Sequence, residues 1–248
     1  QNVGALSPCV PIVLGKAIAF TFAREGADLI LVDKLDDDLE QVAAACTSLG
    51  VNALPLLADL GSYDEVNRVV QLGLERYGKV DLLMSVAGVR PHKPVWEFGY
   101  DEWHQTFAIN LHSTFYLAKA LAPGMMQRKS GSIVALGGKV SLTSEPNCGA
   151  HAASKHGLYG LIKSLAVDLG PYGIRANLLI PSHIENERRD PELYARYGDP
   201  NNSARLAKTP LGRIGTTQDV ANVALFLASD ESSYVTGDRI ICAGGGYM

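Results

Sequence analysis

The stretch 153–181, ASKHGLYGLIKSLAVDLGPYGIRANLLIP, sets a helix directly before a strand. In its first half Leu158, Leu161, Ile162, Leu165 and Leu169 fall three and four residues apart, which is the spacing of one helix face. Gly170 stands where such a helix should stop. Residues 174–180 then form a short, nearly continuous apolar run, the pattern of a strand covered on both faces.

The same alternation repeats outward in both directions. Strand-like runs appear at 28–33, 51–57, 80–85, 132–136 and 239–242, with a weaker one near 3–7. Helical windows lie between them at 15–26, 36–50, 63–78, 101–128, 152–170 and 217–229. Short apolar strands alternating with longer amphipathic helices predict βαβ units, a parallel sheet and right-handed crossovers. The expected fold is α/β, a doubly wound Rossmann-like parallel sheet with helices on both faces, one domain over 1–248. Gly26, Gly50 and Gly78 punctuate helix ends, and Thr216-Thr217-Gln218-Asp219 reads as a capped start. The segment 186–208 breaks the rhythm with Arg, Asp, Pro, Asn and Tyr. Following a strand's carboxyl end, it reads as a lid over the site, with a solvated surface excursion as the alternative.

Composition narrows the function classes. The chain has 248 residues, 47% of them hydrophobic, 19% charged, and a formal net charge of −4. Such a mildly acidic balance gives no electrostatic ground for nucleic acid or an anionic membrane as partner. Cys9, Cys46, Cys148 and Cys242 lie far apart, in neither a disulfide framework nor a zinc spacing, and the six histidines show no metal-ligand spacing. A reducing cytoplasm, with no secretory signal, is the expected location.

The segments NLHSTFYLAKALAPGM (110–125), GSIVALGG (131–138), 153–181 above and PLGRIGTTQDVANVALFLASDESSYVTGDRIICAGG (210–245) resemble, in order and spacing, the short-chain dehydrogenase/reductase family. That family carries T-G-x-x-x-G-x-G between its first strand and helix, where the glycines make a tight turn and admit a dinucleotide pyrophosphate. Here the corresponding stretch is 8–15, PCVPIVLG. Gly15 keeps the last glycine, whereas Cys9 and Val13 occupy the first two, and Pro8 and Pro11 remove backbone donors. This loop is expected to bind a dinucleotide poorly. If one binds, the resemblance implies NAD, with Asp33 on the adenosine ribose and Asp59-Leu60 beside the adenine. The family's N-A-A-G survives in half, as Ser85-Val86-Ala87-Gly88.

The resemblance also implies a catalytic Asn, Ser, Tyr and Lys, the last two as Y-x-x-x-K on one helix face. Asn110 and Lys155 match, while His151 stands at the Tyr position and Gly138 at the Ser position. Ser141 and Ser144 are nearby hydroxyls whose spacing argues against substitution. An imidazole at 151 can act as acid or base near neutral pH, and an ammonium at 155 would lower its pKa. Cys148 beside it reads as packing rather than as a nucleophile, and His183 is placed to line the pocket.

Three readings follow. The leading expectation is cofactor-independent acid/base chemistry on a small carbonyl or hydroxyl compound, with His151, Lys155 and Asn110 as the machinery. The second is an NAD-dependent oxidoreductase with His151 in place of the Tyr. The third is a non-catalytic binding or regulatory subunit. The expected partners are a small-molecule substrate and further copies of the chain, paired as a dimer or tetramer through windows 101–128 and 152–170.

Overall fold

The computed structural model describes residues 5–8, 12–34, 36–185 and 206–246. Seven strands, β1 (Ala5–Pro8), β2 (Leu29–Asp33), β3 (Ala53–Leu57), β4 (Leu82–Ser85), β5 (Gly131–Leu136), β6 (Ile174–Pro181) and β7 (Arg239–Cys242), form one sheet in the order β3-β2-β1-β4-β5-β6-β7. Every neighbouring pair is parallel. All the strands therefore end on one edge, and the order reverses between β1 and β4, where doubly wound sheets open a ligand crevice.

Strand side chains alternate between two cores. In β2, Leu29 and Leu31 enter one core with α1 (Ile12–Arg24), α2 (Asp36–Thr47) and α7 (Thr217–Ala228), through Phe22, Leu39 and Ala224. Ile30 and Val32 enter the other, with α3 (Tyr63–Tyr77), α5 (Ser113–Arg128) and α6 (Gly149–Leu169), through Val69, Leu117 and Leu158. Each fully buried Leu or Ile contributes roughly 1.5–3 kcal/mol, so the two cores fix the sheet between its helix layers. Of the apolar stripe on α6, Leu158, Ile162 and Leu169 are spent on this core, and Leu161 and Leu165 pack at its edge. Val167 is the large apolar residue of that helix that faces outward, 75% exposed.

Helix ends follow local chemistry. At α7, Thr216 Oγ1 accepts from Asp219 N at 3.1 Å, and Thr216 N donates to Asp219 Oδ2 at 2.7 Å, the reciprocal cap expected from the sequence. The window 101–128 is α4 (Tyr100–Phe107) and α5 joined by a π-helical turn, Ala108–His112. One boundary and one cap conformation differ from expectation. Helix α1 begins at Ile12, so Val13 and Gly15 lie in its first turn rather than in a loop before it. Helix α6 stops at Leu169 with Gly170 as its cap, as expected, but Gly170 keeps a right-handed φ of −53° and the chain tightens into a 3₁₀ turn over Gly170–Tyr172. The left-handed residue is Gly173, which closes that 3₁₀ turn at φ 72°, and a Cβ there would lie 2.7 Å from Lys129 O. Positive φ and backbone contact together make Gly173→Ala costly. The expected loss is about 1–3 kcal/mol, read by urea denaturation, and an unchanged midpoint would refute it.

Candidate active site

The site lies where β4 and β5 end against α6. After β4 the chain continues through Val86-Ala87-Gly88-Val89, and the backbone of Val89 is gripped by two side chains. Asn110, held in the π-helical turn and 1% exposed, accepts from Val89 N through Oδ1 at 2.7 Å. Its Nδ2 donates to Val89 O at 3.0 Å and to Ser154 Oγ at 2.9 Å. His151, two residues into α6, sets Nδ1 3.0 Å from the same Val89 carbonyl oxygen and 3.3 Å from Asn110 Nδ2. A carbonyl and an amide NH₂ at the same ring nitrogen assign the Nδ1–H tautomer, because only a donor satisfies the carbonyl. Nε2 is then the lone-pair nitrogen, and it meets no hydrogen-bond partner among the described residues. Burial first, then the charges of Lys155 and Arg90, push the His151 pKa down to about 3. The ring is neutral through the physiological range.

Lys155 sits one turn further along α6, on the same side, and is 3% exposed. Its Nζ donates to Leu136 O at 2.6 Å, tying α6 to the end of β5. Burial brings its pKa down to about 8. An ammonium has three donors, and among the described residues this one makes a single hydrogen bond. Gly88 is what allows the backbone so close. A Cβ there would stand 3.3 Å from Asn110 Oδ1 and 3.4 Å from Lys155 Nζ.

The remaining expected positions are placed as follows. Gly138 is extended, and a Cβ built on it meets nothing within 4 Å, so the Ser position is open space. Ser141 is buried with its Oγ accepting from Gly138 N at 3.2 Å, and Ser144 is exposed. Neither supplies the missing hydroxyl. Ser85, in place of the family Asn, pairs with Thr114 at 2.7 Å and ties β4 to α5. Asp33 ends β2 on the same sheet edge, half-buried. Asp59 is exposed, with Oδ1 accepting from Gly61 N at 2.9 Å, and the Leu60 side chain is buried in the core. His183 follows β6, its Nδ1 3.0 Å from Thr209 Oγ1. Residues 9–11, the side chain of Val13 and the segment 186–205, which holds most of the expected lid, lie outside the described residues. Asn110, His151 and Lys155 are thus brought together. Ser154 and the Val89 backbone belong with them, although the former had no motif to mark it and the latter no side-chain signal at all.

Among the described residues no group of His, Cys, Asp and Glu could hold a metal ion. Cys46, Cys148 and Cys242 are free thiols. No helix among the described residues is long and apolar enough to cross a membrane.

Comparison with known proteins places this geometry. A family model described as enoyl-(acyl carrier protein) reductase matches residues 13–247. The chain is 32% identical over 232 residues to the 3-oxoacyl-[acyl-carrier-protein] reductase FabG of Thermotoga maritima, covering 94% of this chain and 92% of that one. It is 33% identical to trans-4-hydroxycyclohexanecarboxylate dehydrogenase of Sinomonas cyclohexanicum, covering 94% and 88%. Among solved structures, NAD+-bound xylitol dehydrogenase superposes with a TM-score of 0.90 at 29% identity, covering 98% of each chain. Levodione reductase does so with a TM-score of 0.90 at 29% identity, over 99% and 98%.

These matches correct the leading expectation of cofactor-independent chemistry. Proteins similar along the whole chain are reductases and dehydrogenases, one of them solved with NAD+ bound. The physical reason lies in how much was inferred from the short loop at Cys9 and Val13. Lys155, Gly88 and Asp33 are laid out elsewhere along the same edge and do not depend on that loop's glycines. The expectation that no cofactor is used loses its support for the same reason.

Proposed function

This chain belongs to the short-chain dehydrogenase/reductase family, and on that premise we propose that it is an NAD(P)-dependent oxidoreductase interconverting a hydroxyl and a carbonyl on a small molecule. The observation that carries the reading is Lys155, a nearly fully buried ammonium with one hydrogen bond, set one turn from His151 and across from Gly88. A buried charge with unspent donors is costly unless a polar ligand completes it, and sugar hydroxyls would do so. The residues fit a dinucleotide at two points. Lys155 would take the nicotinamide ribose and Asp33 the adenosine ribose, while Asp59 and the Leu60 backbone would border the adenine. When bound, the nicotinamide supplies the hydride acceptor or donor.

The chain's own residues handle the oxygen and its proton. Nε2 of His151 accepts the hydrogen bond of the substrate hydroxyl and takes its proton in the oxidation direction. The Val89 carbonyl, receiving Nδ1–H, holds the ring in that tautomer and favours the positive charge it gains. Asn110 fixes Val89 from both its N–H and its carbonyl, so the ring has one orientation. The charge of Lys155 stabilises the oxyanion that forms as the proton leaves. A neutral imidazole at pH 7 keeps its Nε2 lone pair open to the proton of a hydroxyl, and a pKa held down to about 3 means that the proton is passed on to solvent rather than kept. This is a departure from the phenol that the family resemblance implies, and Gly138 leaves room beside it.

The test is a calorimetric titration with NADH and NADPH, followed by a screen of secondary alcohols with NAD+. Binding with Kd below about 100 μM, equivalent to more than about 5 kcal/mol, is expected. The acid at Asp33 should favour NADH over NADPH, and Asp33→Ser should narrow that preference. No binding of either dinucleotide up to millimolar concentration would overturn the reading.

A further inference from the structure

We infer that Ser154 is a positioning residue that sets the tautomer of His151, by taking the amide hydrogen of Asn110 that would otherwise settle on the imidazole. The inference rests on the oxidoreductase reading for what His151 does, and on geometry alone for how its ring is held. Ser154 lies inside α6, fully buried, one turn after His151 and next to Lys155. The helix has no need of a serine there. Alanine is the better helix former, and Ala152 and Ala153 precede it. The hydroxyl is explained by what its two sides meet. Its hydrogen goes to the carbonyl oxygen of His151 at 2.9 Å, so it turns only a lone pair toward Asn110 Nδ2, also at 2.9 Å.

That lone pair decides where the amide hydrogens go. Asn110 Nδ2 carries two of them, and three acceptors stand around it: Val89 O at 3.0 Å, Ser154 Oγ at 2.9 Å and His151 Nδ1 at 3.3 Å. The amide cannot turn over, because its Oδ1 is held by Val89 N at 2.7 Å. Two hydrogens serve two acceptors, and the ring nitrogen, the most distant, is left out. Nδ1 then carries its own hydrogen and donates it to Val89 O at 3.0 Å. That carbonyl accepts twice, the full capacity of its lone pairs. Without the Ser154 hydroxyl the balance changes. One hydrogen of Asn110 is released, and His151 Nδ1 is the acceptor left to it among the three. A lone pair on Nδ1 puts the ring hydrogen on Nε2, and an Nε2–H imidazole cannot take the proton of a substrate hydroxyl. A phenol, which the family resemblance implies at 151, has no tautomer to set, so this duty of Ser154 belongs to the imidazole.

The test reads the ring nitrogens of the whole chain by magnetic resonance, with histidine and asparagine nitrogens isotopically labelled. Protonated and lone-pair ring nitrogens resonate in separate ranges. At neutral pH the parent is expected to hold His151 as Nδ1–H, with the lone pair on Nε2. Ser154→Ala should shift the tautomer ratio toward Nε2–H by about tenfold, the equilibrium worth of one hydrogen bond. It should also bring in a nitrogen–nitrogen coupling between Asn110 Nδ2 and His151 Nδ1 that the parent lacks. With NAD+ and the secondary alcohol selected in the screen, kcat should fall in step with the Nδ1–H fraction while KM for NAD+ stays unchanged. Should Ser154→Ala not fold, Ser154→Cys carries the same test, because a thiol accepts a hydrogen bond only weakly. An Nε2–H ring in the parent overturns the proposal, as does a tautomer ratio that the variant leaves where it was. A loss of kcat without a change of tautomer marks a merely structural serine and overturns it too. If no secondary alcohol is oxidised with NAD+, the oxidoreductase reading falls, while the nitrogen spectra of the free protein still judge Ser154.

Discussion

Replacing Lys155 by Met is expected to lower NAD(P)-linked turnover by about 10²–10³ while the melting temperature holds or rises. The two effects separate because they come from different states of one group. In the proposed turnover, the ammonium would stabilise charge developing on the substrate oxygen and complete the cofactor's hydrogen bonds. In the empty fold it is a charge at 3% exposure with a single partner. A pKa brought from 10.5 to about 8 corresponds to roughly 3 kcal/mol of penalty on the charged form. Met of similar length removes that penalty and leaves Leu136 O without its donor, which costs about 1–3 kcal/mol. The two terms nearly cancel or favour the variant. A pH dependence adds a second reading. Between about 8 and 10.5 the unfolded chain holds a proton that folded Lys155 has released, so stability rises with pH across that window. Lys155→Met should abolish this rise. A variant that melts well below the parent, or retains full turnover, would contradict the role given to Lys155.

The architecture was legible because its signals are redundant. Every strand of the sheet sits within or beside a run of apolar residues, and Gly26, Gly50 and Gly78 do take the left-handed conformation expected of helix stops. Gly170 does stop α6, but without the left-handed turn, because a glycine followed by Pro171 can open a 3₁₀ turn, and the sequence does not say which of two nearby glycines meets the Lys129 carbonyl. The trio Asn110, His151 and Lys155 was also readable, by spacing and resemblance. What could not be read was how they are joined. The joint is the Val89 backbone, which accepts from two side chains and donates to one, and main-chain groups leave no trace in residue identity. The functional reading failed at a different step. Two lost glycine positions in one loop were allowed to outweigh a cradle whose other members, Asp33, Gly88 and Lys155, are spread over 122 positions of chain from Asp33 to Lys155. A binding site spread over several loops tolerates loss at one of them better than a local motif suggests.

His151→Ala is expected to cost about 10²–10⁴ in turnover, with the fold intact, because the substrate hydroxyl loses the group that receives its proton. The pH profile distinguishes this role from a packing one. Since the ring is held near pKa 3, turnover in the parent should show no acid limb at the ordinary histidine value of 6.5 and should stay level downward until the fold itself weakens. The fold weakens in a defined window. Between 6.5 and about 3 the unfolded chain gains a proton that buried His151 refuses, so stability declines as pH falls, by at most about 1.4 kcal/mol per pH unit. His151→Phe, which keeps the ring and removes the titration, should flatten that decline while remaining as inactive as His151→Ala. The double variant His151→Tyr with Gly138→Ser restores the hydroxyls that the family resemblance implies, and the open space at Gly138 admits the serine. It should recover turnover at least tenfold over His151→Ala and bring in an alkaline-side dependence, because a phenol must lose its proton before it can accept one. Turnover unchanged in His151→Ala would remove the imidazole from the chemistry and leave Lys155 and Asn110 to act without it.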